Sequence, residues 1–254
     1  MKIFIDSSDL KEIKKWDGQG VVDGVTTNPS IMFKDGAFDM EECTRRVCSL
    51  MGGRPVSIEV TTNDHGEMIR QGRQFASWAG NIVVKIPVVN EYGESSLGAI
   101  HTLNSEGIRV NATAILAFNQ AMLAAKAGAT YVSIFAGRIA DEGGDSAAVI
   151  RNVRHWLDEW GCRAEIIVGS MRGPVDIQTA ALAGAHIVTV PPQFLPKMID
   201  HKYTRETVRQ FNQDAEKALA QFAEVRADGH GNGHGNGRET AQASVSTRKP
   251  TATR

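Results

Sequence analysis

The chain has 254 residues, 42% of them hydrophobic and 22% charged, with a formal net charge of −1. This is ordinary globular composition, enough for one large α/β domain or two small ones. The near-zero charge gives no electrostatic draw toward nucleic acid or a membrane, and three cysteines with no Cys-x-x-Cys spacing argue against a disulfide or zinc framework.

The opening Met1-Lys2-Ile3-Phe4-Ile5-Asp6 is too short an apolar run for a signal peptide or a membrane span. With the cysteine usage it fits a cytoplasmic protein. Short β-rich runs then alternate with helical patterns. The strands expected are Ile3–Asp6, Gly24–Thr26, Val56–Val60, Ile82–Ile86, Ile108–Asn111, Tyr131–Ile134, Glu165–Val168 and His186–Val190. Asp9–Trp16 reads as the first helix, with Leu10, Ile13 and Trp16 on one face and Ser8 as its N-cap. Further helices are expected over Met40–Met51, Asp64–Trp78, Glu94–Ser105, Asn119–Ala127, Asp145–Trp160 and Val175–Ala183. Glycine recurs between helix and next strand (Gly52, Gly53, Gly80, Gly107, Gly128, Gly161, Gly184) as a left-handed stop.

One punctuation repeated through eight units predicts an α/β fold, a (β/α)8 TIM barrel. A doubly wound open sheet would carry a glycine-rich loop after its first strand, where this chain has Asp6-Ser7-Ser8-Asp9. Thr204–Val225, with Val208, Phe211, Ala215, Leu219 and Phe222 near helical spacing, adds a C-terminal helix for capping the barrel or packing on a neighbouring subunit. The expected domains are therefore residues 1–225, barrel plus helix, and residues 226–254, a low-complexity tail. The Gly229–Gly237 glycine-histidine repeat and the Ser/Thr/Ala run after it cannot bury a core, so disorder is expected there.

The chain is organised around Asn81-Ile82-Val83-Val84-Lys85-Ile86-Pro87, a buried strand that delivers one amine to its carboxyl end. Burial disfavours an ammonium and leaves an amine able to attack a carbonyl. The plainer alternative is a lysine snorkelling to water. Barrel sites lie at the carboxyl ends of strands, on inward positions that share parity. Those positions hold Asp6, Thr26 and Asn28, Ser57 and Glu59, Lys85, Asn111 and Thr113, Ser133 and Phe135 followed by Arg138, and Ser170 with Arg172. A carboxylate inside an apolar strand is expensive unless paired or used. Asp6 and Glu59 either serve Lys85 in chemistry or pair with it for structure alone.

The chemical division of labour follows. Lys85 would attack a ketone and become an iminium, an electron sink for C–C cleavage. Asp6 would take the proton from the hydroxyl whose carbon becomes an aldehyde. Glu59, with Thr113 orienting a water, would shuttle protons for imine formation and hydrolysis. Asn28 and Asn111 would hold substrate hydroxyls. Arg138, Arg172 and Ser170 offer a clamp for an anionic end, a phosphate by preference. The seven histidines show no metal-ligand spacing, so no metal site is expected.

Taken together, Asp6, Thr26-Thr27-Asn28-Pro29-Ser30, Ser57-Ile58-Glu59-Val60, Val84-Lys85-Ile86-Pro87, Asn111-Ala112-Thr113, Ser133-Ile134-Phe135-Ala136-Gly137-Arg138 and Gly169-Ser170-Met171-Arg172 resemble the transaldolase family, colinearly over about residues 1 to 222. The resemblance implies a cofactor-free class I aldolase-type barrel that moves a dihydroxyacetone unit from a ketose phosphate to an aldose phosphate. It implies Lys85 as the Schiff-base residue, Asp6 and Glu59 as acid/base groups and Thr113 on the catalytic water. The substrate-binding set it implies is Thr26, Asn28, Asn111, Ser133, Phe135, Arg138, Ser170 and Arg172. The short length is similar to the compact subfamily that includes fructose-6-phosphate aldolases. Those tend to carry glutamine and tyrosine where Glu59 and Phe135 stand, so these two residues favour transfer over release of free dihydroxyacetone. The subfamily also implies a ring-based homo-oligomer, a pentamer or decamer. Two features depart from a plain pentose phosphate pathway member: the long Val89–Ser96 stretch and the glycine-histidine tail. They leave a specialised sugar or sulfosugar substrate open. A non-catalytic sugar-phosphate-binding barrel is the non-enzymatic alternative.

Overall fold

Eight parallel strands hydrogen-bond in chain order, and the last pairs with the first to close a barrel. They are β1 (Lys2–Asp6), β2 (Gly24–Thr26), β3 (Val56–Glu59), β4 (Ile82–Pro87), β5 (Val110–Ile115), β6 (Tyr131–Phe135), β7 (Glu165–Gly169) and β8 (Ile187–Val190). The computed structural model describes residues 1–229; of the tail expected over residues 226–254, the first four residues continue a helix that ends at Gly229, and the rest lies outside the described residues. The chain divides into two units, Met1–Ile199 and a second beginning at Asp200.

The helices of the first unit are α1 (Leu10–Asp17), α2 (Pro29–Lys34), α3 (Met40–Met51), α4 (His65–Ala76), α5 (Leu97–Ser105), α6 (Phe118–Lys126), α7 (Ala136–Asp141), α8 (Ser146–Glu159), α9 (Pro174–Leu182) and α10 (Leu195–Ile199). The second unit holds α11 (Lys202–Gly229). This is the expected (β/α)8 barrel with an extra C-terminal helix.

Strand alternation builds the barrel in layers. Outward residues such as Ile5, Val25, Ile58, Val84, Ala112, Val132, Val168 and Val188 are buried against the helices. Inward residues Phe4, Val83, Tyr131, Ile167 and Ile187 form a separate apolar cluster inside the barrel. Phe4 meets Tyr131 edge-on, with ring centroids 6.2 Å apart. A Cβ at Gly24 would lie 2.6 Å from the Phe4 ring, so β2 must carry glycine opposite it. Two residues further along the same strands stand Asp6, Lys85, Ser133 and Thr189. The polar layer therefore rests on an apolar plug that bars water from below.

Several local expectations are corrected. Asp9, not Ser8, caps α1, accepting from the Lys11 amide at 2.8 Å. Ser8 is committed elsewhere, its hydroxyl and amide both bonded to Asp35. The fifth strand runs Val110–Ile115 rather than ending at Asn111, because a register shift between Ala112 and Ile115 carries it past the polar residues. Ala114 takes φ 58° there, a left-handed conformation unusual for a residue with a Cβ. Gly80 is not left-handed, since α4 ends on Ser77 in right-handed geometry and a longer link leads into β4. The short helices α2 and α7 were not foreseen.

Candidate active site

β3 and β4 pair with Glu59 opposite Lys85, which sets the central contact. Lys85 is 5% exposed, and its Nζ lies 2.9 Å from Glu59 Oε2. The same amine donates to the Thr27 carbonyl at 3.3 Å. A lysine sunk this deep needs an anionic partner, and Glu59 supplies it.

Asp6 ends β1 beside Thr26 of β2. Its Oδ1 accepts a hydrogen bond from Thr26 Oγ1 at 2.6 Å. Burial pushes the Asp6 carboxyl above the usual carboxylate range; the charge on Lys85 and the Thr26 hydrogen bond oppose this, while the negative charges of Glu59 and Asp35 add to it. Behind Asp6 the chain is pinned by Asp35. Its Oδ2 accepts from Ser7 Oγ at 2.8 Å, the Ser8 amide at 2.7 Å and the Asp9 amide at 3.2 Å.

Asn28 begins the turn after β2. Its Oδ1 caps α2 by accepting from the Ile31 amide at 2.8 Å, and Pro29 occupies the first helical position. That fixes the amide orientation and leaves its NH2 group directed elsewhere, with Asn28 lining the cavity. Asn111 is fully buried between Ser133, which donates to its Oδ1 at 2.7 Å, and Ser57, which accepts from its Nδ2 at 3.2 Å. Thr113 is fully buried, and its hydroxyl has no partner among the described residues. A buried hydroxyl is normally bonded, so this one is available to a small polar molecule.

The Arg138, Ser170 and Arg172 end of the site is built on α7 and the turn after β7. Ser170 takes φ 61°, strained for a residue with a side chain. A Cβ at Gly137 would come within 2.0 Å of the Ser170 carbonyl, so the two segments meet closely only because Gly137 lacks one. Arg172 is exposed, bonds Asp141 through Nη2 at 2.5 Å, and is anchored by its amide on Asp176 at 2.7 Å. Arg138 is exposed and has no carboxylate partner among the described residues.

These parts surround a cavity of about 190 Å³ lined by Asp6, Thr26, Asn28, Lys85, Ser133, Phe135, Arg138, Ser170 and Arg172, with Ile167, Gly169 and Thr189. Nine of the twelve residues singled out from the sequence thus share one cavity. Glu59 reaches it through Lys85, and Asn111 through Ser133. Thr113 is not part of the lining. A wider cleft of about 480 Å³ lies on the other side of Asp6, between α1, α2 and Pro191–Gln193, and shares only Asp6 with the first. Ser57, an expected inward position, accepts from Asn111, whereas Thr189, Asp35 and Asp141 are not among the positions the sequence singles out. Of these only Thr189 left a usable signal, its shared parity with inward Ile187.

The family model described as transaldolase/fructose-6-phosphate aldolase matches residues 3–232. The protein named probable transaldolase 2 of Listeria monocytogenes is 44% identical over 216 residues, 85% of this chain and 96% of that one. The probable transaldolase of Lactiplantibacillus plantarum is 42% identical over 214 residues, 84% of this chain and 96% of that one. Among solved structures, a mandelate oxidase mutant superposes with a TM-score of 0.54 at 16% identity. That match covers 75% of this chain but only 64% of the oxidase, and at such identity it speaks to the barrel alone. A family match across nearly the whole chain, and relatives above 40% identical along nearly their whole length, mean that the chain belongs to the transaldolase/fructose-6-phosphate aldolase family.

Proposed function

We propose that the protein is a transaldolase that carries a dihydroxyacetone unit from a ketose phosphate to an aldose phosphate through an imine on Lys85. The observation that carries this reading is the Lys85 amine, buried in the barrel, 2.9 Å from Glu59 and lining one cavity with Asp6. Glu59 takes a proton from the Lys85 ammonium 2.9 Å away, the freed amine adds to the C2 carbonyl, and Glu59 gives the proton back to the carbinolamine hydroxyl, which leaves as water. Asp6 then takes the proton of the C4 hydroxyl while the C3–C4 bond breaks. The electron pair passes into the iminium to give an enamine, and the aldehyde leaves. An acceptor aldehyde is attacked by the enamine carbon, and Asp6 returns the proton to the new hydroxyl. Water held near Thr113 hydrolyses the imine and frees the lysine.

Binding groups divide along the cavity. Asn28 offers its amide hydrogens to the donor hydroxyls, with Ser133 and Asn111 behind them. Thr26 contributes through Asp6. Arg138, Ser170 and Arg172 meet the phosphate at the mouth. Transfer is favoured over release because Phe135 lines the cavity without a hydroxyl. Its ring cannot hand a proton to the enamine, which therefore waits for an aldehyde.

A cytoplasmic site of action and a ring-based homo-oligomer belong to the same proposal. Val208, Phe211, Leu219 and Phe222 of α11 are exposed, an apolar stripe suited to a neighbouring copy. The test of function is a donor ketose phosphate incubated with a panel of aldose phosphates, read by mass spectrometry, beside the same donor alone. Transfer products with little free dihydroxyacetone support the proposal. Equal release of dihydroxyacetone without an acceptor would make the protein a fructose-6-phosphate-type aldolase instead.

A further inference from the structure

We propose that Thr189 of β8 is a positioning residue for Asp6: it donates to Thr26 Oγ1, which spends its own proton on Asp6 Oδ1. The inference rests on the reading of Asp6 as the proton-transfer group. Thr189 Oγ1 lies 2.6 Å from Thr26 Oγ1, and Thr26 Oγ1 lies 2.6 Å from Asp6 Oδ1. Both threonines are almost fully buried, at 5% and 2% exposure, so neither hydroxyl has bulk water as an alternative partner.

Proton counting fixes the direction. An ionised carboxylate only accepts, so Thr26 must donate to Asp6. A threonine hydroxyl has one proton, so Thr26 can then only accept from Thr189. Donation into the Thr26 oxygen polarises its O–H and strengthens the bond to the carboxylate. The chain runs β8 to β2 to β1, across the seam where β8 closes the barrel on β1. The rotamer of Thr189 is held as well. A β-branched side chain has few χ1 choices, and the Thr189 methyl packs so close to Gly169 that a Cβ there would stand 3.2 Å from it.

The other charges around Asp6 lie on different elements. Lys85, Glu59 and Asp35 act on it directly. Arg138 and Arg172 share its cavity, and Asp9, Glu12, Lys15 and Lys34 share the cleft on its other side. A change at Thr189 leaves all of them in place.

The experiment compares Thr189→Val, which keeps the shape and loses the donor, with Thr189→Ser, which keeps the donor. Each is made in the full chain beside wild type and Asp6→Asn. The Asp6 carboxyl is followed by 13C NMR through a pH titration and assigned by its loss in Asp6→Asn. Thr189→Val should move the Asp6 midpoint upward, shift the acid limb of kcat to higher pH and lower kcat about tenfold, with KM little changed. Thr189→Ser should restore all three. A folded Thr189→Val protein with an unmoved Asp6 midpoint overturns the inference, and so does a Ser variant as impaired as Val. A moved midpoint in a protein whose wild type shows no turnover would leave the hydrogen-bond chain standing and overturn the proposed function instead.

Discussion

At the scale of single residues, the site balances one buried cation, Lys85, against two partly buried carboxylates, Glu59 and Asp6. Lys85 and Glu59 compensate each other at 2.9 Å, yet a buried ion pair is often no more stabilising than an apolar pair of the same shape. Asp6 is the least compensated, and burial raises its pKa. A carboxyl whose pKa is raised in the folded state binds more protons there than in the unfolded chain. The folded state therefore loses stability as pH climbs from the ordinary carboxylate range through the raised value. Asp6→Asn should melt a few degrees higher than wild type at neutral pH, with the gain vanishing under acid conditions, as read by calorimetry across pH. The same variant should lose about 10²-fold or more in kcat, because the amide cannot take the C4 hydroxyl proton. For wild type, Asp6 must be ionised to act as a base. The rate should fall on the acid side at a pH above the ordinary carboxylate range, and a rate flat through that region would contradict its role.

At the scale of elements, function depends on loops tied to one another rather than on the strands alone. Asp35, at the end of α2, holds the turn after β1, so the asparagine that starts α2 and the aspartate that ends β1 belong to one hydrogen-bonded unit. The proposed phosphate clamp depends on the close approach of α7 to Ser170. Gly137→Ala should force these segments apart and raise KM for a ketose phosphate about tenfold or more. Turnover of the corresponding unphosphorylated ketose as donor should change little; steady-state kinetics on the two donors checks this.

Legibility from sequence divides along the same line. Inward parity was readable because each strand repeats with period two, and it found Asp6, Glu59, Lys85 and Ser133. Thr189 hides in Ile187-Val188-Thr189-Val190, where a threonine passes for an ordinary β-branched residue. Asp35 acts on backbone amides and a neighbouring pair of serines, contacts that no spacing rule encodes. The helices α2 and α7 have six residues each, too few to display an apolar face. Asn111 and Thr113 sit at inward positions as their parity suggests, but β5 runs on to Ile115 because of the irregularity between Ala112 and Ile115, which no alternation pattern encodes.

At the scale of the whole molecule, the barrel is a chemical partition. Its lower interior is filled by Phe4, Val83, Tyr131, Ile167 and Ile187, and Lys85 lines the cavity above them. Among the described residues no helix is long and apolar enough to cross a membrane. Val208, Phe211, Leu219 and Phe222 of α11 are exposed, and the proposed homo-oligomer would cover them. Replacing Phe211 and Phe222 with Asp should yield smaller particles by sedimentation velocity, and an unchanged distribution would assign that stripe no part in assembly.

The most direct measurement is reductive trapping. The enzyme is incubated with a ketose phosphate, reduced with borohydride, digested, and its peptides are mapped by mass spectrometry. One three-carbon adduct is expected, on Lys85, absent from Lys85→Ala. Full turnover with no adduct on Lys85, or an adduct on another lysine, would contradict the imine on Lys85.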